Sequence, residues 1–265
     1  PQQMPPPPPG FKGTKLRVPE DCSTLKQAVE TVTKDKTLTT IVLGKGEHQI
    51  DGNYLEICSA MSIVGRPDVP KEMIAVVGGI QFKSPGNNCH LQHMTIRQAK
   101  MGGVYGYSSF TMEDVIVEQC GGHGVFVDGT GVVGRCTNVE VRQCGWGGVA
   151  ASKGGDVTLI GAKTTVHHNC TVGSSATHGL TVTGSSSSTI QLISPLTKEQ
   201  VSIDNGGGGN WGAEEGGAIT QIKTIPSSAD KDTEIAKAAL AAVVKRLKKL
   251  SHTDIDELTT YASPP

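Results

Sequence analysis

Short runs of alternating apolar and polar positions recur along the middle of the chain. TIRQA (95–99), IVEQC (116–120), EVRQC (140–144) and VHHNC (166–170) align, and their last residues, Ala99, Cys120, Cys144 and Cys170, stand 21, 24 and 26 residues apart. A strand led by glycine follows each run within a few residues: GVYGY, GVFVD, GVAAS and GLTVT. Further short strands lie upstream, as in SSFTM and DVTLI. Alternation with period two predicts strands that bury one side only. Three such strands in a repeat of slightly more than twenty residues predict a coil of a parallel β-helix. One coil cannot bury its inner side alone, so coils stack, and each strand pairs with its equivalents above and below.

This register sends Val104, Val125, Val149 and Leu180 inward, together with Val127, Ala151 and Val182. It sends Tyr105, Phe126, Ala150 and Thr181 outward, followed one step on by Tyr107, Asp128, Ser152 and Thr183. A β-propeller blade would need a repeat of roughly 40 residues, and a leucine-rich repeat would need leucines at fixed offsets. Neither pattern is present. At the N-terminal side, LRVPEDCSTLKQAVETV predicts a short helix capped by Ser23 or Thr24, with Leu25, Ala28 and Val29 on one side. TIVLGKGEHQI then reads as strand, glycine turn and strand. From about residue 226 the pattern changes. DTEIAKAALAAVVKRLKKL (232–250) is an amphipathic helix with Ile235, Ala239, Ala242, Val243 and Leu247 on one stripe.

The predicted organisation is therefore a Pro-rich, disordered lead (1–13), a β-helix (14–225) and a helical segment (226–265). The fold class is an all-β solenoid, with roughly seven or eight coils between residues 37 and 225. An N-terminal helix caps it, and the C-terminal amphipathic helix is expected to pack on it or cap it, covering unpaired strands. A helix that binds a partner is the alternative use of the same stripe.

LRVPEDCSTLKQAVETV, TIVLGKGEHQI and the repeats resemble the right-handed parallel β-helix of the pectate-lyase-like superfamily over roughly residues 15–225. The resemblance implies a right-handed coil. It also implies the range of activities that superfamily carries: polysaccharide lyases, epimerases, pectinesterases and substrate-recognition proteins. Fold alone selects none of them.

Composition narrows the field. The 265 residues hold 24 Lys and Arg against 25 Asp and Glu, so there is no basic excess of the kind nucleic-acid and membrane-surface binders carry. No nucleic acid and no membrane is expected as a partner. No apolar run is long enough to span a bilayer, and PQQMPPPPPG lacks the features of a secretory signal, fitting an excised or processed form. Seven cysteines without a CxxC pair argue against a zinc finger or a complete disulfide framework, and favour a reducing, intracellular compartment. No metal or other cofactor is expected.

Most polar residues of the repeat have structural explanations. Gln98, Gln119, Gln143 and Asn169 form a candidate amide ladder at one turn. Cys120, Cys144 and Cys170 form a candidate buried column. Arg97, Glu118, Arg142 and His168 form a candidate outward charge ladder, each pair contributing a few tenths to ~1 kcal/mol. Gly122-His123-Gly124 resembles a segment of polygalacturonase-type hydrolases, but the carboxylates that such enzymes carry on preceding coils are missing. Glycoside hydrolysis needs two carboxyl groups, and Asp128 is one. No catalytic residue is assigned. The remaining candidate is an outward strip of Tyr105, Tyr107, Phe126 and Trp146 with His123 and Asp128 beside it. It is either a satellite core under a covering segment or a binding surface for a protein or a polysaccharide. Trp211, Glu214 and Glu215, in the glycine-rich stretch 203–217, are expected on a flexible loop that could flank it. The expected function is a non-catalytic recognition or scaffold module. A carbohydrate-active enzyme acting on an acidic polysaccharide is the alternative.

Overall fold

The computed structural model describes residues 14–83, 89–172, 175–184 and 187–247; the expected Pro-rich lead lies outside them. The chain divides into two units, Pro1–Ile225 and Pro226–Pro265.

The first unit is a three-sided parallel solenoid of about six turns. Its first face stacks nine strands, from Lys15–Val18 through Thr40–Leu43 and Ser62–Gly65 to Ile222–Ile225. The second and third faces stack seven each. The repeat predicts seven or eight coils; the connection 194–210 includes a short helix at Lys198–Val201.

The interior follows the alternation. Val104, Val125, Val149, Leu180, Val127, Ala151 and Val182 are all fully buried, stacked in register along the third face. Phe82 and Phe110 stack inside at 5.0 Å. Thr24 caps helix α1 (Leu25–Lys34) by accepting a hydrogen bond from the Gln27 N–H at 3.2 Å. Leu25, Ala28, Val29 and Val32 are buried, and the helix packs on the strands that open the solenoid.

The corner between the second and third faces corrects one alignment. Arg142 pairs in register with His167, and His167 with Ile203. The charged column is therefore Arg97, Glu118, Arg142 and His167, not His168. The next position turns the corner in the left-handed region, at Gln98, Gln119, Gln143, His168 and Asp204, with φ between +51° and +56°. After it, Ala99, Cys120, Cys144, Asn169 and Asn205 follow in register. Asn169, not Cys170, thus occupies the inward column, and Cys170 is an added residue that is also buried, with φ +62°. The register shifted because VHHNC carries one more residue before its cysteine than the runs upstream.

The amide ladder is correspondingly shorter. Gln119 donates to Gln143 at 3.3 Å, while Asn169 turns inward. Arg142 holds Glu118 through Nε and Nη2 at 2.9 and 2.7 Å, but Arg97 pairs with Glu47, at 2.6 Å, instead of Glu118.

The second unit contains a helix, Ser228–Leu247, which begins four residues before the expected start. Ser227 and Asp230 cap each other: the Asp230 carboxylate accepts from the Ser227 N–H and hydroxyl, and the Ser227 hydroxyl accepts from the Asp230 N–H. Ile235, Leu240, Val243 and Val244 are exposed along it. No described helix is long and apolar enough to cross a membrane.

Candidate functional site

The third face takes its shape from a column of glycines. Gly103, Gly124 and Gly148 lead successive strands, and a Cβ on any of them would collide with Val117, Val141 or Val166 of the second face. The bare backbone lets the corner close tightly, and the column just outside it alternates between glycine and larger side chains: Gly102, His123, Gly147, His178 and Gly209. His123 lies over Gly147 and accepts a hydrogen bond from its N–H on Nδ1, at 3.1 Å. A side chain at residue 147 would occupy the space of the His123 ring.

From this corner the rings form a continuous line. Tyr54 meets Tyr105 edge-on at 6.1 Å, Tyr105 lies against Phe126 at 4.6 Å and Tyr107 at 4.8 Å, Phe126 against His123 at 5.2 Å, and His123 meets Trp146 edge-on at 5.7 Å. The expected aromatic residues are thus brought together. Trp146 and Tyr107 are 47% and 41% exposed, and Tyr105, Phe126 and His123 are half-buried. Among the described residues no segment covers the two exposed rings.

Asp128 sits differently from the expectation. Its position is outward, but it is buried at 6% exposure, with one oxygen on Lys153 at 3.1 Å and the other, Oδ1, lacking a hydrogen-bond partner among the described residues. Neighbouring side chains on the same strand positions enclose it. Trp211 and Glu214 are not on a flexible loop but on the strand Trp211–Glu214, the last of this face. Trp211 packs against the core, with the Lys198 ammonium 5.3 Å from its ring.

Two parts of the face were not anticipated. Tyr54 begins the ring line, and its hydroxyl accepts from the Gly102 N–H at 3.0 Å. Its place was hidden by an irregularity in register between Gln49 and Tyr54. His178 lies 3.5 Å from Glu214, both facing atoms buried and neither hydrogen-bonded. The sequence did carry a signal for it: His-Gly followed by a strand occurs at both 123 and 178.

Burial shapes the titration of these groups. It pushes His123 down to about 4, so the ring is neutral near pH 7. Since Nδ1 accepts a hydrogen bond, the proton resides on Nε2. Burial, followed by the neighbouring Tyr107 hydroxyl, raises Tyr105. Burial raises Glu214, opposed by His178.

The carboxylates of the outward column lie far apart. Asp128, Ser152, Thr183 and Glu214 are successive members of one outward column. Three strand steps separate the two carboxylates by ~14 Å, beyond the ~5–9.5 Å that glycoside hydrolysis uses. Among the described residues no group of three or more His, Cys, Asp or Glu side chains is gathered as a metal site.

No protein-family model, curated protein or solved structure matches the chain.

Proposed function

We propose that the protein is a recognition module of the pectate-lyase-like, right-handed β-helix type, binding through the third face and carrying out no reaction there. The ring line from Tyr54 to Trp146 carries this reading. Large rings expose apolar surface on a rigid sheet, and aromatic residues with polar edges suit a ligand that is part apolar and part hydrated. Stacked strands fix the spacing of the rings, so little ordering cost remains to be met on binding. Asp128, enclosed and held by Lys153, acts as a support for the strip rather than as an acid or base.

The competing reading is an enzyme acting on an acidic polysaccharide. It would need a second carboxylate within reach of Asp128, or calcium-binding acids on adjacent coils. The test is incubation with polygalacturonate, pectate and alginate, with and without calcium, following new reducing ends and unsaturated products. The recognition reading expects none. Turnover that disappears in Asp128→Ala or His123→Ala would replace it with the enzyme. A parallel binding measurement with Tyr105→Ala and Phe126→Ala should show weakened binding, each stacking contact contributing roughly 0.5–1.5 kcal/mol.

A further inference from the structure

We infer that the ligand of this face is a neutral, linear glycan laid along the solenoid axis. The inference rests on the recognition reading above and names its ligand class.

The first argument is shape. The rings from Tyr54 to Trp146 follow the stacking direction over four strand steps, ~19 Å, with neighbouring rings 4.6 to 6.1 Å apart. The strip is long and one to two rings wide, with Tyr105 beside Tyr107 and Phe126 beside His123 on single coils. The exposed area of its two most open rings, Tyr107 and Trp146, is about 150–200 Å², judged from ring sizes of about 150–250 Å² and from their exposure. A stable protein partner needs roughly 800 Å² on each side. A sugar chain, whose ring faces are apolar and whose edges bear hydroxyls, fits a narrow ring line.

The second argument is charge. An anionic polymer needs a row of unpaired cations, and the outward positions among the described residues do not supply one. Lys83 pairs with Glu56 and Lys153 with Asp128. Lys100, exposed on the corner loop, is a single cation. Toward the last coil the outward positions Ala150, Ser152 and Thr181 are buried, and the accessible ones are Thr183, Glu214 and Glu215, an acidic end. A uronic-acid chain running past Trp146 would meet these carboxylates; a neutral one would meet acceptors for its hydroxyl groups.

The third is a fixed donor. Gly147 N–H occupies His123 Nδ1, so the imidazole offers one N–H, at Nε2, with Phe126 on one side and Trp146 on the other. A sugar hydroxyl or ring oxygen is the matching acceptor, and stacking on the flanking rings would orient it. His123 is thereby a specificity-determining residue of the face.

The experiment is affinity electrophoresis and calorimetry of the full chain with two neutral polymers, mixed-linkage β-glucan and xylan, and two acidic ones, polygalacturonate and alginate. At least one neutral polymer should bind tenfold or more tighter than both acidic ones, with affinity unchanged between low and high salt. Trp146→Ala and Phe126→Ala should each lower that affinity on the order of tenfold. His123→Phe, which keeps a ring but removes both the Nε2 N–H and the acceptor of the Gly147 N–H, should lower it several-fold at a lower thermal midpoint, with binding measured well below that midpoint. Arg135→Ala, exposed on the first face, serves as the control that leaves binding unchanged. Salt-sensitive binding of an acidic polymer through the same rings would overturn the inference and leave the recognition reading standing. Binding of no polymer, with a purified protein ligand lost in Trp146→Ala, would do the same. If substitutions at Tyr105, Phe126 and Trp146 alter no binding at all, both fail.

Discussion

Asn169 marks the point where the solenoid replaces a small buried sulfur with an amide, and its removal offers a sharp test of the register. The side chain is 1% exposed. Its Oδ1 accepts from the Cys144 N–H at 3.0 Å, and its Nδ2 donates to the Val141 carbonyl and to Asn205 Oδ1, each at 3.0 Å. Asn169→Ala removes all three and leaves a buried backbone donor with no partner. An orphaned buried group costs about 1–3 kcal/mol and an ordinary lost hydrogen bond about 1 kcal/mol, so the substitution should destabilise by roughly 3–5 kcal/mol. Cys170→Ala removes a buried sulfur outside the column and should cost about 1–2 kcal/mol. Coils interact chiefly with their neighbours, so the loss should fall on the C-terminal coils first. Denaturant unfolding followed by far-ultraviolet circular dichroism would then show an early transition with a reduced slope, since less surface is exposed in it. A cost below about 1 kcal/mol for Asn169→Ala, or a larger one for Cys170→Ala, would refute the register.

Three further outcomes are expected. Gly124→Ala drives a methyl group into Val141 and to within 2.9 Å of the Gly148 carbonyl; overpacking of this kind costs about 1–3 kcal/mol, read as a lower thermal midpoint, and an unchanged midpoint would mean the corner is looser than described. In the native protein, Cys120, Cys136 and Cys144 should resist a thiol reagent that labels the exposed Cys58 quickly, because all three are buried: burial pushes Cys136 up to about 12, the hydrogen bond with Cys120 together with burial keeps Cys144 protonated, and Cys120, which the same hydrogen bond shifts down, is shielded by its burial alone. Rapid labelling of all four would contradict this. His123, held down to about 4 in the fold against about 6.5 when unfolded, takes up its proton later than the unfolded chain does; stability should therefore fall as pH drops from about 6.5 to 4 and level off below, with His123 contributing at most roughly 3 kcal/mol. Melting curves across that range should lose this slope in His123→Gln, and an unaltered slope would assign it to other groups.

The parallel solenoid was legible because pairing in register repeats the same physical demand at every coil. Each of Val104, Val125, Val149 and Leu180 faces the same interior, so the chain shows it as a period. Thr24 and the apolar side of α1 were legible for a local reason, since capping and helical spacing act within a few residues. What escaped depended on a single inserted residue or on contacts between distant segments. The cysteine in VHHNC suggested a continued thiol column, yet pairing of Arg142 with His167 placed Asn169 there. The burial of Asp128 depends on Lys153 and the packing of adjacent strands, which no single run reveals. Tyr54 lay beyond a break in register. The glycine-rich composition of 203–217 suggested a loop, but the pairing of Leu180–Thr183 with Trp211–Glu214 extended the third face into it.

The same stacking limits which side chains can act together on this face. On a parallel sheet, a second group reaches a given side chain from only a few positions: one coil before, one coil after, or two residues along the same strand, at about 5–7 Å. For Asp128 these are Tyr107, Ser152 and Phe126, and none is an acid. Cleavage chemistry would require a carboxylate at one of them, and Ser152, in register with Asp128, is the position that could take it with least change in size. As the chain stands, two of the three are rings, and these rings continue through Tyr105 and His123 into the line that ends at Trp146. The positions that could complete a hydrolytic pair are the ones that build the strip. Recognition and hydrolysis would therefore compete for the same few sites on this face, and under the recognition reading proposed above the rings at these sites belong to the binding strip.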